Sequence, residues 1–355
     1  MVIKKRWIVL LMIFLVTPLL MLGSTNTVRA DDTATGAQFY LAPVYPANQT
    51  DKTLGYFVLK VTPGQKGSVS VQVQNTSKTN TRKIQLTPTA ATTSDAGQIN
   101  YSPSPKKADP TLAHPLNRLF SKPVTITIPP DESKVATFEY IIPEAGFKGQ
   151  ILGSIHALDV TEEKSTTGQF GLHNKFAMAV GIILSQNPTQ TLAPDLKLQQ
   201  VRPGVSNKHP AILARIQNRA PQLFRGMTIN AKITKQGETK TIYQYKLKDG
   251  SMAPNSNFDA PILGDEKGIP AGDYTLTMTV QAEGKTWRFK RNFTVTDKEA
   301  AKLAGANNAG NQQPPWQKWL IWAAIALAVL IAGYGLYLLG VRRGHKNDTA
   351  DAHHS

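Results

Sequence analysis

Histidine, cysteine and carboxylate side chains supply most enzymatic chemistry, and in this chain they are scattered. The 355 residues include 7 histidines and no cysteine, which excludes a disulfide framework and a thiolate metal site. His114 and His209 each precede a proline, and no HExxH, HxH or aspartate-rich calcium loop occurs. These patterns predict neither a metal site nor a cofactor.

Carboxylate pairs could hydrolyse glycosidic bonds. The adjacent acidic pairs Asp131-Glu132, Glu162-Glu163 and Asp265-Glu266 all fall in predicted turns, where solvated charge is the ordinary explanation. No GxSxG nucleophile elbow occurs, and Gly284-Lys285-Thr286 fails as a P-loop because Thr279 stands where the motif needs glycine. We predict a protein that is not an enzyme and name no catalytic residue. A glycan-cleaving enzyme stays open, because two catalytic carboxylates can be distant in the sequence.

Basic residues are the other group with evident binding chemistry. The net charge is +16, and residues 169–341 hold 20 Lys and Arg against 10 Asp and Glu, whereas 31–168 hold 13 against 12. Such an excess favours anionic partners such as teichoic acids, sulfated glycans or acidic protein surfaces. Strand alternation assigns five cations to solvent faces, opposite apolar neighbours: Lys232, Lys246, Lys248, Arg288 and Lys290. An incidental excess of solvated lysine explains the same composition equally well.

The elements that must position these residues are strands. Ser68 to Gln74 alternates strictly, with valine at every second position, and similar short runs recur between turn signals. The pattern restarts after a hinge around 162–168, and a Gln-Asn pair ends a strand in each half, at Asn75 and Asn218. This repeated Gln-Asn pair is explained either by two related sandwiches or by the preference of asparagine for turns at strand ends. The fold class is therefore all-β: two antiparallel sandwiches in tandem.

Both ends of the chain indicate export and membrane attachment. Residues 1–30 are predicted to be a signal peptide with a basic start and an apolar stretch, cleaved between Ala30 and Asp31; an uncleaved first membrane helix is the alternative. The 23 uncharged residues 319–341 make a helix of about 34 Å, enough to span the bilayer, and basic residues follow it. We predict a single-pass protein of the cell membrane with its N-terminal ectodomain outside, within the cell wall, and a cytoplasmic tail, 342–355. Outward exposure excludes nucleic acid as a partner.

Several long segments resemble the WxL-interacting proteins of Gram-positive bacteria, which pair a DUF916-type with a DUF3324-type domain. The resemblance covers nearly the whole chain. It is carried in the first half by 43–65, 89–104 and 141–155, and in the second half by 174–186, 194–201, 251–258 and 270–280. The five tryptophans form no W-x-L motif, so the chain resembles the membrane-bound partner of WxL proteins.

The resemblance implies two Ig-like sandwiches with separate binding roles. The expected domains are a DUF916-like, peptidoglycan-binding sandwich at 37–160 and a DUF3324-like sandwich at 169–297 that binds WxL partners or host ligands. Independently of the resemblance, the polar composition predicts a flexible juxtamembrane spacer at 298–318, in which 298–304 is compatible with one or two helical turns. Amides and aromatic rings suit sugar recognition, so the glycan-binding candidates are Asn48, Gln49, Asn100 and Tyr101.

We expect a non-catalytic protein that scaffolds a surface complex by binding peptidoglycan, WxL-domain proteins or both. An adhesin that binds anionic host matrix through the basic second half is the alternative. An assembly chaperone is a third reading, since exposed sandwich edges can accept a partner strand.

Overall fold

Two β-sandwiches, each with its own apolar core, make up most of the described chain. The computed structural model describes residues 36–162, 175–265 and 268–308, together with single positions between 319 and 337. The mostly-β class is therefore confirmed. The predicted signal peptide, its cleavage site at Ala30 and Asp31, and the tail from 342 lie outside the described residues.

The first sandwich is built from strands β1 to β10 and one short helix. Its strands are β1 Phe39–Val44, β2 Phe57–Lys60, β3 Lys66–Asn75, β4 Arg82–Ala90, β5 Thr92–Thr93, β6 Ile99–Asn100, β7 Val124–Ile128, β8 Ser133–Ile141, β9 Gln150–Asp159 and β10 Ala177–Ser185; helix α1 is Leu116–Leu119. A three-stranded sheet, β1-β3-β8, faces a five-stranded one, β2-β10-β9-β4-β7. The predicted valines of β3, Val69, Val71 and Val73, are all buried in the core between them.

The second sandwich pairs sheets of three and four strands. Its strands are β11 Leu196–Ser206, β12 His209–Asn218, β13 Phe224–Lys235, β14 Thr241–Met252, β15 Ser256–Leu263, β16 Gly272–Ala282 and β17 Lys285–Val295. The sheet orders are β11-β12-β15 and β14-β13-β16-β17, and every pairing is antiparallel. Trp287, Phe289 and Phe293 pack against the core from one face of β17, as alternation predicted.

Strand β10 differs from the predicted domain division. It lies within 169–297, the range expected for the second sandwich, yet it pairs with β9 and β2 of the first. Its buried side chains, Val180, Ile182 and Leu184, belong to the core of the first sandwich. Alternation along the chain reveals that a segment is a strand, but it does not reveal the neighbour with which the strand pairs.

A helix follows the last strand where a flexible spacer was expected. Helix α2, Asp297–Asn308, begins with a capping box: Glu299 accepts from the backbone N–H of Thr296 at 2.9 Å, and Thr296 Oγ1 accepts from that of Glu299 at 3.3 Å. These hydrogen bonds lower the pKa of Glu299. Leu303 is buried in the second core, so this part of 298–318 is docked and helical.

Membrane attachment is not settled by the helices that can be seen. In the part of the chain that the structure describes, none is both long and apolar enough to cross a bilayer. Eleven of the 23 residues 319–341 lie outside that part, and the positions described within the segment are helical. The membrane helix stays a prediction.

The two sandwiches meet in an interface of buried hydrogen bonds. Thr93 Oγ1 lies 2.6 Å from Ser256 Oγ and accepts from the backbone N–H of Ala253 at 3.1 Å. The backbone N–H of Gln150 donates to Pro221 at 2.7 Å, and that of Ser251 donates to Gly97 at 2.8 Å. Backbone bonds of this kind fix the orientation of the two sandwiches relative to each other.

Asp109 is a buried charged residue at this interface. It is buried, and its carboxylate accepts from the Gln217 side chain at 2.8 Å and from the Asn257 side chain, both in the second sandwich. Burial acts to raise the pKa of Asp109, but hydrogen bonds from Thr111, Asn257 and Gln217 outweigh it and hold the pKa below its usual 3.8.

Acid should therefore weaken the interface. A carboxyl whose folded pKa is depressed contributes stability above its unfolded pKa, and that contribution is lost as pH falls through the folded value. We expect Asp109→Asn to destabilise the protein at pH 7 by about 1–3 kcal/mol and to flatten the pH dependence below about pH 4. Urea unfolding at several pH values measures both effects. Asp273→Asn, at an exposed carboxyl, is the control, and an equal flattening there would contradict this role.

Candidate functional site

Four of the predicted cations lie in two adjacent rows on the outer face of β14-β13-β16-β17. In one row Lys232 and Lys290 are the second and fourth residues of Gln244–Lys232–Thr277–Lys290. In the next, Lys246 and Arg288 end the row Lys246–Asn230–Thr279–Arg288. Lys248 is exposed two residues further along β14. We call Lys232, Lys246, Lys248, Arg288 and Lys290 the basic face.

Little negative charge opposes the basic face. The four strands contain two carboxylates, Asp249 and Asp273, which lie at opposite ends of the sheet. Within the described residues, none of the five cations forms an ion pair. With strands about 4.8 Å apart, Lys232 and Lys290 stand roughly 10 Å apart across the sheet. An extended anionic polymer would meet several of these cations at once.

Two arginines on the opposite sheet of the second sandwich share one carboxylate. Asp259 is buried on the opposite sheet, where it accepts from Arg202 at 2.7 Å and from Arg215 at 2.9 Å. Burial acts to raise the pKa of Asp259, but the two guanidinium groups outweigh it and lower the pKa. The basic face thus groups five cations that form no ion pair within the described residues, whereas Arg202 and Arg215 are paired.

The first pair of glycan-binding candidates is engaged within the protein. Gln49 is buried, its amide donates to the Asp51 and Tyr56 carbonyls, and its oxygen accepts from Val58 at 2.9 Å. Asn48 donates to the Lys60 carbonyl at 3.0 Å and to the Tyr140 hydroxyl at 3.1 Å. Both side chains organise the loop before β2, and their glycan-binding role stays a prediction.

The second pair lies near the boundary between the sandwiches. Asn100 bonds locally to Ser102 and Thr92. The Tyr101 ring is half-buried against Gly181 of β10, next to Tyr56, and desolvation by burial raises its pKa. Tyr56 also accepts from Gln49, so it links the two pairs. A role for Asn100 and Tyr101 in sugar binding likewise stays a prediction.

A second outer face, on β1-β3-β8, was missed by the sequence reasoning. Its central rows are Tyr40–Gln74–Ser133, Ala42–Gln72–Val135 and Val44–Ser70–Thr137, without a charged residue. We call these nine residues the neutral face. The signal is present in Ser68 to Gln74, where every outward residue is uncharged, but alternation by itself predicts only which residues face outward and not what they bind.

Groups that could do catalytic chemistry are dispersed. Within the described ranges no cluster of three or more His, Cys, Asp or Glu side chains is suited to hold a metal ion. His156 is buried, and burial lowers its pKa. Of the acidic pairs, Asp131 makes an exposed ion pair with Lys78 at 2.7 Å.

Comparison with known proteins adds two family models. Residues 39–159 match "WxL Interacting Protein, peptidoglycan binding domain", and residues 167–305 match "WxL Interacting Protein, host binding domain". No curated protein matches the chain.

Solved structures give only remote likenesses. The CupB2 chaperone of Pseudomonas aeruginosa is 13% identical over 64% of this chain and 92% of its own, with a TM-score of 0.26. The fimbrial chaperone CfaA is 13% identical over 72% of this chain and 98% of its own, also with a TM-score of 0.26. Red sea bream transglutaminase is 13% identical over 74% of this chain and 32% of its own, with a TM-score of 0.21. Scores this low carry no argument about function.

Proposed function

Because the chain belongs to the WxL-interacting protein family, we propose that it scaffolds a complex at the bacterial surface without catalysing a reaction. It is a cell-surface binding protein with a peptidoglycan-binding and a host-binding domain. In our proposal the first sandwich binds peptidoglycan, and the second binds a WxL-domain protein or an anionic host ligand. The observation that carries the proposal is the joining of two binding domains through a hydrogen-bonded interface.

That interface suits a scaffold. Gln150, Thr93 and Asp109 all form hydrogen bonds across it, so two ligands would be held in a fixed relative orientation.

A membrane anchor at 319–341 and export directed by 1–30 complete the proposal, supported by their sequence features. Deleting 319–355 should release the protein from cell membranes into the medium, and membrane retention of the deleted form would contradict the anchor.

Crosslinking on intact cells tests the scaffold. A crosslinker applied to cells should capture this chain with a WxL-domain protein and with peptidoglycan fragments, identified by mass spectrometry. Capture of neither would overturn the proposal.

Incubating the full chain with purified peptidoglycan should release no soluble fragments, because the carboxylates are dispersed. Released fragments would instead make it a glycan-cleaving enzyme.

The basic face favours an anionic ligand for the second sandwich. Arg288→Glu with Lys290→Glu should weaken binding to heparin or lipoteichoic acid about tenfold, since an exposed ion pair contributes up to about 1 kcal/mol and reversal replaces attraction with repulsion. Affinity of the unaltered protein should fall as salt rises, because exposed charges are screened over about 8 Å. Surface plasmon resonance at two salt concentrations measures both.

A matched control removes the same charge elsewhere. Lys197 and Lys208 are exposed on the β11-β12 hairpin of the opposite sheet. Lys197→Glu with Lys208→Glu makes the same change in net charge and should leave binding nearly intact. Equal losses in both double variants would show that net charge, not the basic face, governs binding. The stability of each should change by less than about 0.5 kcal/mol per substitution.

A further inference from the structure

We propose that the neutral face on β1-β3-β8 is the platform on which the uncharged sugar backbone of peptidoglycan lies. The inference rests on the proposed peptidoglycan binding by the first sandwich and assigns that binding to one surface. It is independent of Asn48, Gln49, Asn100 and Tyr101.

The shape of the neutral face suits a linear polymer. Three strands about 4.8 Å apart give it a width of roughly 10 Å. From the row of Gln74 to that of Ser70, β3 runs four residues, about 14 Å. An open strip of this size can accommodate a short stretch of a linear sugar chain, whereas a monosaccharide would need an enclosed pocket.

Its side chains offer what an N-acetylated sugar chain needs. Tyr40 is 48% exposed, so its ring can pack against the apolar face of a sugar. The amides of Gln72 and Gln74 can bond to hydroxyl and acetamido groups. Val44 and Val135, at 44% and 59% exposure, can contact acetyl methyl groups. This mixture of an aromatic ring, amides and small apolar groups matches a ligand that is polar but uncharged.

Hydrogen bonds across the strands hold the polar groups in place. Gln72 donates to Ser133 at 3.1 Å, and the Ser70 and Thr137 hydroxyls lie 2.8 Å apart. Groups ordered before binding lose less conformational entropy when the ligand arrives. The face is therefore a partly preorganised surface.

The absence of charged residues from the neutral face makes it better suited to an uncharged sugar chain than to an anionic polymer. The nine residues of the neutral face include no cation, so teichoic acid would gain nothing there, whereas the basic face of the other sandwich suits it. The charged residues of this sheet are Lys66, Lys134 and Glu139, and none of them belongs to the nine residues of the neutral face. Glu139 and Ile141 also line a cleft of about 550 Å³ with Arg118 and Glu144. Charges of both signs there suit the peptide branches that peptidoglycan carries.

The test uses the full chain in mild detergent and insoluble peptidoglycan stripped of teichoic acid. Tyr40→Ala with Gln72→Ala should weaken co-sedimentation at least about tenfold, equivalent to ~1.4 kcal/mol. Tyr40→Phe, which keeps the ring, should bind like the unaltered protein. Val135→Lys, which places a charge mid-face at an exposed position, should also lose binding without loss of fold.

Controls lie on the other sandwich. Gln244→Ala alters an outward amide of β14, and Arg288→Glu with Lys290→Glu alters the basic face; neither should affect binding to stripped peptidoglycan. Soluble oligomers of N-acetylglucosamine should compete with the wall material, which separates sugar recognition from peptide recognition. Thermal unfolding should be nearly unchanged in all variants.

The outcomes distinguish the two levels of the proposal. If the unaltered chain does not sediment with peptidoglycan, the proposed function fails and the platform fails with it. If the unaltered chain sediments and Tyr40→Ala/Gln72→Ala and Val135→Lys do so equally well, the platform alone is overturned. If these variants instead change the oligomeric state in sedimentation velocity, the face is a protein interface and the inference is wrong.

Discussion

Replacing Asn218 with alanine is expected to lower the free energy of unfolding by about 3 kcal/mol. Asn218 is fully buried at the end of β12. Its amide donates to the carbonyls of Gln222 and Ala253 at 2.9 and 3.1 Å, and its oxygen accepts from the N–H of Ala220 at 3.2 Å. Alanine removes three hydrogen bonds worth about 1 kcal/mol each and leaves buried backbone groups unsatisfied.

Aspartate at position 218 tests the two hydrogen bonds that the amide donates separately from the one that its oxygen accepts. Asn218→Asp keeps an oxygen for the Ala220 N–H but directs a buried carboxylate at two carbonyls, so it should destabilise at pH 7 and recover partly in acid, where the carboxyl is neutral. Urea unfolding measures both, with Asn230→Ala on the outer face of β13 as the control. If Asn218→Ala costs no more than Asn230→Ala, the hydrogen bonds contribute nothing.

Asn75 should respond in the same way. It is fully buried at the end of β3, donates to the carbonyls of Asn80, Ile128 and Pro129, and accepts from the N–H of Ser77 at 3.0 Å. Each asparagine bonds the N–H two residues on and ties a neighbouring loop to its strand. The Gln-Asn echo in the sequence thus corresponds to one structural device used once in each sandwich.

Replacing Gly149 with alanine should cost about 2–5 kcal/mol. Gly149 has φ of +70°, where a side chain costs about 1–2 kcal/mol. An added Cβ would also overlap the carbonyl oxygen of Pro221 in the second sandwich, and forced overpacking typically costs another 1–3 kcal/mol. Since the backbone N–H of Gln150 donates to that same carbonyl, the clash falls directly on the interface between sandwiches.

A substitution at a second glycine, Gly237, separates the cost of the steric clash from the cost of the backbone conformation. Gly237 has φ of +85° and open space where its Cβ would be, so Gly237→Ala carries only the backbone cost. Thermal unfolding and limited proteolysis should show Gly149→Ala to be markedly less stable than Gly237→Ala. Equal stability would mean that the interface yields without cost and that the sandwiches are loosely joined.

Alternation predicted the facing of side chains well. It assigned Val69 to the core and Lys232 and Lys290 to a solvent face, because the side-chain period of a strand is 2 whatever its neighbours are. It could not predict that Lys232 and Lys290 share a row, since the order of strands in a sheet depends on long-range pairing.

The candidate sugar site was less predictable for a related reason. Gln49 was chosen for its amide, but an amide serves a ligand or the fold equally well, and here it closes a loop. The sequence 298–304 is compatible with helical turns, but one leucine in a polar stretch does not show that the helix runs to Asn308 or that Leu303 is buried. Both depend on contacts with distant residues that the local sequence does not encode.

Strand β10 bears on where the chain can be divided. The family models divide the chain between 159 and 167, yet β10, at Ala177–Ser185, fills the gap between β2 and β9 in the first sandwich. Truncating the chain at that border would leave β2 without its ladder partner and would uncover the core where Ile182 and Leu184 are buried. The first sandwich keeps all its strands only if the truncation follows Ser185, so the border between the family models differs from the border between the folding units.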